Sequence, residues 1–277
     1  MTTEQQDIIR KLGVAPVFDV WREIERRIAF LVEYVRSSGS ESLVLGISGG
    51  IDSLTAGILA KRTVRVLRDA DYDARFVAVR LPYGSQADEH DAERCLAIID
   101  PDRTVTIDIK PATDALMRSI TMEAGEFISG RRHHFHLGNI KARQRMIAQY
   151  ALAGGDKGLV IGTDHAAEAL MGFYTKFGDG AADILPLAGL NKRRIRSIAR
   201  QLGAPDDLVF KTPTADLESD TPLKPDEDVY GVTYNEIDDF LEGKEIDTLS
   251  MNKILSAYRA SAHKRALPVV PDTVSRT

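Results

Sequence analysis

Short apolar runs alternate with segments of helical periodicity along most of the chain. Four runs have the length and composition of buried strands: 42–47, 75–81, 103–109 and 158–163. Five segments place apolar residues at helical spacing: 17–38, 53–69, 87–100, 141–155 and 190–205. This alternation predicts an α/β fold, in which a doubly wound parallel sheet of Rossmann-like type is flanked by helices.

The pattern changes after the fifth helical segment. Residues 204–235 contain four prolines and many acids, which is typical of a binding loop but equally of a disordered surface excursion. We expect a mobile loop at about 204–228, followed by short helices near 235–242 and 251–265. Residues 131–139 hold three histidines and are expected to form a solvent-facing loop, with His133 and His136 as a conceivable metal pair.

The composition is ordinary for a soluble globular protein. The 277 residues are 43% hydrophobic and 28% charged, and the net charge of −5 does not favour a nucleic-acid partner. The single cysteine, Cys95, excludes an internal disulfide and fits a reducing compartment. With no apolar signal core and no membrane-spanning run, we expect one cytoplasmic domain over residues 1–277.

The most informative stretch follows the first predicted strand and reads Ser48-Gly-Gly-Ile-Asp-Ser53. Its glycines allow the backbone to approach a bulky anion, and the following helix N-terminus offers N–H groups with partial positive charge. Asp52 would repel a phosphate unless a divalent cation such as Mg²⁺ lay between them. The alternative is a tight turn in which a serine or aspartate caps the helix. The Walker A and dinucleotide-binding patterns are both absent from this stretch.

This motif resembles the pyrophosphate loop of the N-type ATP pyrophosphatases, which have an adenine nucleotide alpha hydrolase-like fold. These enzymes split ATP between the α and β phosphates and transfer AMP to an acceptor. Further segments resemble, in the same order along the chain, the ammonia-dependent NAD synthetases. They are VRLPYGSQADE at 79–89, GNIKARQRM at 138–146, GTDHAAEALMGFYTKFGDGAADILPL at 162–187, LNKR at 190–193, PTADLESD at 213–220 and HKR at 263–265.

The resemblance implies a homodimeric ligase that converts nicotinate adenine dinucleotide (deamido-NAD) to NAD with ATP, Mg²⁺ and ammonia through an acyl-adenylate. It implies no glutaminase domain, because Cys95 does not lie in a nucleophile-like segment. Two segments are plausible helices for the dimer interface: 17–38 and 138–153.

The resemblance also assigns roles to individual residues. ATP is expected to contact Gly46, Ile47, Ser48, Gly49, Gly50, Ile51, Asp52, Ser53, Arg80, Gln86, Thr163, Lys192 and Thr214. Deamido-NAD is expected to contact Arg143, Lys176, Asp183, His263 and Lys264. The catalytic set is Asp52, Lys192 and Asp179, with Asp179 as a candidate to bind and deprotonate ammonium.

The predicted metal ligands are Asp52 and Glu168. If the fourth strand neighbours the first, both carboxylates lie at one edge of the sheet and can share one Mg²⁺. The alternative for Glu168 is an acid that stabilises a helix N-terminus.

Two other classes of protein stay open at this point. One is a different adenylating amidotransferase or a tRNA thiolase on the same fold, although a thiolase usually has added cysteines or a basic RNA-binding surface. The other is a regulatory module that binds nucleotide without chemistry, and such a module does not need both Asp52 and Glu168.

Overall fold

The protein is described here from a computed structural model, which covers residues 2–85, 88–128, 130, 133–213 and 225–271. Within these residues the centre is a parallel sheet with strand order β3-β2-β1-β4. Its strands are β1 Ser42–Gly46, β2 Arg75–Arg80, β3 Arg103–Thr106 and β4 Gly158–Val160. The first strand is therefore central, and the strand order reverses between β1 and β4.

The helices lie on both faces of this sheet and at one end of it. In chain order they are α1 Thr3–Lys11, α2 Val20–Ser38, α3 Ile51–Arg68, α4 Glu89–Ile99, α5 Lys110–Ile128, α6 His133–Gly155, α7 Ala166–Met171, α8 Lys192–Gln201, α9 Asp206–Val209, α10 Asp226–Tyr230, α11 Tyr234–Leu241 and α12 Thr248–Ala260. No helix among the described residues has the length and apolar character required to cross a bilayer.

The continuous apolar run of β1 reflects burial on both faces. Leu43 and Leu45 belong to the core formed with α2, α3 and α8, whereas Val44 belongs to the core on the opposite face, beneath α6. Because successive side chains of a strand point to opposite faces, a strand covered on both sides needs apolar residues at every position. The predicted doubly wound α/β fold is confirmed.

A smaller core joins α1, α7, α11 and α12 beside the sheet. Its buried members include Ile8, Leu170, Tyr234, Phe240 and Ile254. This cluster fixes α7 and α11 next to the start of α8, and it thereby places their polar residues at the carboxyl edge of the sheet.

One expectation about the chain was wrong. Residues from His133 onward form the first turns of α6, not a loop, because Leu137 and Ile140 pack on Met117 of α5. Burial of this apolar face outweighs the weak helix propensity of histidine. The His133 and His134 rings pack edge to face. Among the described residues, neither His133 nor His136 belongs to a cluster of three or more potential metal ligands.

Smaller differences concern element ends. The third strand ends at Thr106, α3 begins at Ile51, and the N-terminal helix α1 was not predicted. Of the expected loop at 204–228, residues 206–209 and 226–228 are helical, and 214–224 lie outside the described residues.

Candidate functional site

A cavity of about 310 Å³ opens at the carboxyl edge of the sheet, where the loops after β1 and β4 lie side by side. This is the switch point at which parallel α/β sheets bind ligands. Twelve of the predicted site residues line it: Gly46, Ile47, Ser48, Gly50, Ile51, Asp52, Ser53, Arg80, Thr163, Glu168, Asp179 and Lys192.

Hydrogen bonds of the Ser48 and Ser53 hydroxyls fix the conformation of the loop after β1. Ser48 Oγ lies 3.2 Å from Ser53 Oγ and accepts the Gly50 N–H at 3.3 Å. Gly50 is the N-cap of α3 and supplies no side-chain bond, so the alternative of a serine or aspartate cap was wrong. The first residues of α3 line the cavity, and no side chain caps their N–H groups, as an anion site requires.

Gly49 shows why this loop needs glycine. Its φ of +86° lies in the left-handed region, and a Cβ added there would sit 2.9 Å from the backbone nitrogen of Ala92. Both the turn and the close approach of α4 exclude a side chain at this position.

Three potential metal-binding side chains converge at the cavity floor. Asp52 lies in the first turn of α3, His165 is the N-cap residue of α7, and Glu168 lies in the first turn of α7. One ligand atom from each lies within 4.8 Å of the others. Asp52 Oδ1 is buried and has no hydrogen-bond partner, so a carboxylate oxygen is left for a cation.

Lys192 brings a buried cation to the same point. It is the first residue of α8, and Asp238 of α11 accepts its backbone N–H at 3.0 Å. Its side chain is 1% exposed, and its Nζ donates to Asp52 Oδ2 at 2.8 Å. The Nζ also lies 3.2 Å from His165 Nε2 and 4.9 Å from the centre of the Tyr234 ring. The ammonium is thus fixed on several sides by the protein.

These charges shift one another's pKa values in opposite directions. Burial disfavours the charged form of Asp52, but the positive charges around it, chiefly the Lys192 ammonium with its hydrogen bond, together hold the pKa of that carboxyl below its ordinary value. Burial, and then the charge of Asp52, raises the pKa of Glu168 well above its ordinary value. Burial and the Lys192 ammonium lower the pKa of His165 to about 3, so this imidazole is neutral.

Asp179 faces the cavity from the loop after α7. Its Oδ1 accepts the Thr175 N–H at 2.8 Å. Although the residue is exposed, its carboxyl opens onto the walled cavity, where loss of hydration raises its pKa. A carboxyl of raised pKa at the cavity wall is a suitable proton acceptor.

The remaining predicted ATP contacts divide into two groups. Thr163 and Arg80 line the cavity, but the Arg80 guanidinium already donates to the Ile47 carbonyl and to Glu89 Oε2, the latter at 2.6 Å. Gln86 and Thr214 lie outside the described residues.

Four of the five predicted dinucleotide residues meet beside the cavity without lining it. Arg143 donates to the Lys176 carbonyl at 3.2 Å, and Lys176 Nζ donates to the His263 carbonyl at 2.6 Å. Lys264 Nζ donates to the carbonyls of Gly172 and Tyr174, at 2.7 and 2.8 Å. The fifth residue stands apart: Asp183 accepts the Val160 N–H at 2.8 Å.

Several residues of the site were not assigned from the sequence. His165 lies inside the recognised GTDHAAEA segment, but no spacing signal marks its contact with Lys192. Gln149 of α6 accepts the Gly46 N–H at 2.8 Å, and Asp226 and Lys211 line the cavity. Only the packing of distant segments brings these side chains together.

Comparison with known proteins gives evidence that does not depend on the geometry of the cavity. Residues 23–268 match the family described as NAD synthase. The NH(3)-dependent NAD(+) synthetase of Burkholderia cenocepacia is 59% identical over 266 residues, 96% of this chain and 94% of that protein.

Solved structures agree with this match. NAD+ synthetase from Burkholderia pseudomallei has a TM-score of 0.83 at 55% identity, covering 96% of this chain and 97% of that one. NMN synthetase from Francisella tularensis has a TM-score of 0.80 at 35% identity, covering 92% and 99% of the two chains.

Proposed function

The chain belongs to the NAD synthase family, and we propose that the cavity at its sheet edge is where it amidates deamido-NAD to NAD with ATP and ammonia. It is an ATP-dependent ligase that forms a C–N bond, in the last step of NAD synthesis. The observation that carries the site assignment is the convergence of the Ser48–Ser53 loop, Asp52, Glu168 and Lys192 in one cavity.

The loop after β1 binds the phosphates that leave. The first N–H groups of α3, which no side chain caps, belong to residues that line the cavity. The Ser48 hydroxyl adds a donor there, whereas the Ser53 hydroxyl already donates to the Gly50 carbonyl at 3.0 Å. The deamido-NAD carboxylate attacks the α-phosphorus, pyrophosphate departs, and an acyl-adenylate remains. The chain contributes mainly positioning and charge stabilisation to this step.

Asp52 and Glu168 are suited to hold Mg²⁺. Both are carboxylates, which Mg²⁺ prefers, and Asp52 Oδ1 is buried and free of hydrogen bonds. When bound, the ion supplies charge neutralisation at the phosphate oxygens. Lys192 adds a fixed positive charge beside them, because Asp52 and Glu168 raise its pKa against the opposing effect of burial.

Ammonia attacks the carbonyl carbon of the adenylate, and AMP leaves. Asp179 is the proposed acceptor for the proton that ammonium must lose, which its cavity-facing position and raised pKa support. The group at Arg143, Lys176, His263 and Lys264 is proposed to bind the dinucleotide beside the cavity, together with Asp183.

The sequence suggested 17–38 and 138–153 as interface helices; we propose that two copies associate through α6, which contains 138–153, and α5 rather than through 17–38. Large apolar side chains are exposed there: Met122 is 82%, Phe127 76% and Phe135 60% exposed. A Phe127→Asp/Phe135→Asp variant should sediment as a monomer, and Trp21→Asp on α2 should leave the dimer intact. A monomeric unmodified protein at micromolar concentration would refute this assembly.

Further properties stay proposals. Residues 23–268, which match the NAD synthase family, are proposed to form one synthetase domain that uses free ammonia as its nitrogen source, as the name of the 59% identical relative states. A cytoplasmic location is supported by the lone cysteine, which is fully buried.

The direct test supplies ATP, Mg²⁺ and ammonium with either deamido-NAD or nicotinate mononucleotide. We expect pyrophosphate and NAD in equal amounts from the dinucleotide and little product from the mononucleotide. Asp52→Asn should abolish both products, and Asp7→Asn, which alters an exposed partner of Arg10, is the matched control. A preference for the mononucleotide would reassign the substrate, and pyrophosphate release independent of both would indicate another acceptor.

A further inference from the structure

We propose that His165 is a positioning residue that fixes the Lys192 ammonium in the ATP cavity by accepting one of its hydrogen bonds. The proposal rests on the function proposed above, in which Lys192 stabilises phosphate charge. The His165 side chain is 0% exposed, and its Nε2 lies 3.2 Å from Lys192 Nζ. The Lys192 side chain is also withdrawn from the surface, at 1% exposed.

The chemistry of the two groups determines the direction of the bond. A lysine ammonium has three donors and no acceptor, so Nε2 must present its lone pair to Lys192. The ring proton of the neutral imidazole then lies on Nδ1. His165 is thereby committed to one tautomer by its neighbour.

Among the described residues, three groups contact the ammonium. Asp52 Oδ2 accepts at 2.8 Å, His165 Nε2 at 3.2 Å, and the Tyr234 ring presents its face at 4.9 Å. Tyr234 is itself fixed, because its hydroxyl donates to Asp226 Oδ2 at 2.9 Å. Without His165, Asp52 would be the one remaining hydrogen-bond acceptor of the ammonium among the described residues, and the ammonium would be held less firmly in place.

A rival role is a third ligand for the cation of the carboxylate pair, since His165 Nε2 is 3.7 Å from Asp52 Oδ1 and 3.6 Å from Glu168 Oε1. Two observations favour the positioning role. Nε2 already faces the Lys192 ammonium, and Nδ1 is buried without a hydrogen-bond partner. Metal-binding histidines almost always donate their second N–H to a neighbour, and Mg²⁺ prefers oxygen ligands.

Three substitutions at this position separate the roles. His165→Gln places an oxygen near the site of Nε2, His165→Asn places one near Nδ1, and His165→Leu removes the acceptor. We expect His165→Leu and His165→Asn to lower kcat roughly 10- to 150-fold with little change in the KM for deamido-NAD, since a bond to a charged group is lost. His165→Gln should retain kcat within about threefold of the original. Circular dichroism and thermal melts establish whether each variant is folded. If His165→Leu does not fold, the kcat values of His165→Gln and His165→Asn still show whether an acceptor near Nε2 is required.

Two measurements are independent of turnover. In ¹⁵N-histidine NMR of the unsubstituted protein, the signal lost in His165→Gln should show an unprotonated Nε2, and Lys192→Met should shift it. Mn²⁺ affinity, followed by EPR, should be the same in His165→Leu and the original protein. The proposal would be overturned if Nε2 were protonated, or if kcat of His165→Gln were as low as that of His165→Leu. It would also be overturned if His165→Leu lost Mn²⁺ affinity and the unsubstituted protein showed ¹⁴N coupling to the ion. Failure of the unsubstituted protein to make NAD would instead reject the proposed function, and the NMR result would still judge this contact.

Discussion

Replacing Lys192 with methionine removes the buried ammonium and keeps the length of the side chain. The Nζ donates to Asp52 Oδ2 at 2.8 Å from a side chain that is 1% exposed. Breaking a buried ion pair by removing one partner costs about 3–5 kcal/mol. Because the Asp52 side chain is 19% exposed and can be hydrated or protonated, we expect the lower end, about 3 kcal/mol, or a fall of roughly 6–12 °C in Tm.

The activity should fall much further than the stability. Loss of one preorganised group that stabilises transition-state charge lowers kcat about 10²- to 10³-fold. The assay measures pyrophosphate and NAD under saturating ATP and ammonium at a temperature where both proteins are folded. Lys157→Met is the matched control, because this lysine pairs with Glu41 at the surface and its side chain is 73% exposed. It should melt and turn over almost as the original does.

Two results for Lys192→Met would contradict these expectations. A variant that keeps kcat within threefold would show that the ammonium does not act on the phosphates. A variant as stable as the original would show that the ion pair with Asp52 is energetically neutral, as some buried pairs are.

Three further predictions concern Glu168 in the cavity, Gly49 in the loop after β1 and Asp164 in the turn before α7. Gly49→Ala should raise the KM for ATP and lower the free energy of unfolding by about 1–3 kcal/mol in urea titrations, because φ is +86° and a Cβ would meet the backbone at Ala92. Glu168→Gln should weaken Mn²⁺ binding at least roughly tenfold by EPR, and EDTA should abolish turnover until Mg²⁺ is returned. Burial, then Asp179 and Asp52, raises the pKa of Asp164 from 3.8 to about 8, so the folded state holds this proton more tightly than the unfolded state. The stability that Asp164 contributes is thus present below pH 3.8 and lost as the pH rises to about 8, and Asp164→Asn should flatten this fall in metal-free protein.

Each of these has a contrary result. An unchanged ATP affinity in Gly49→Ala would mean that the loop does not approach the phosphates. Full Mn²⁺ affinity in Glu168→Gln would place the cation elsewhere. An unaltered pH profile of stability in Asp164→Asn would show that this carboxyl is hydrated in the folded protein.

The sequence was informative wherever one local segment determines the structure. The apolar run at Leu43–Leu45 predicts a strand covered on both faces, and the Ser48–Ser53 motif places Asp52 at its carboxyl end. Glu168 was predicted to share a cation with Asp52 if β4 neighboured β1, and the sheet order meets that condition. The roles assigned to the two acids remain predictions.

The features that the sequence did not predict depend on contacts between distant segments. His165 and Lys192 are 27 residues apart, and Tyr234 reaches Lys192 from another helix, so no periodicity indicates their meeting. The start of α6 was missed for the same reason, since only the packing of Leu137 on α5 makes the histidine-rich segment helical. Burial in the tertiary structure determines these features, and local propensity alone does not predict them.

The central claim is that the loop after β1, with the Asp52–Glu168 pair, splits ATP between its α and β phosphates. The most direct measurement is a single-turnover quench with [α-³²P]ATP, Mg²⁺ and deamido-NAD in the absence of ammonium. We expect one pyrophosphate and one labelled acyl-adenylate per site, both formed at least roughly 100-fold more slowly in Asp52→Asn. Adenylate formation at the same rate in Asp52→Asn, or ADP in place of pyrophosphate, would contradict it.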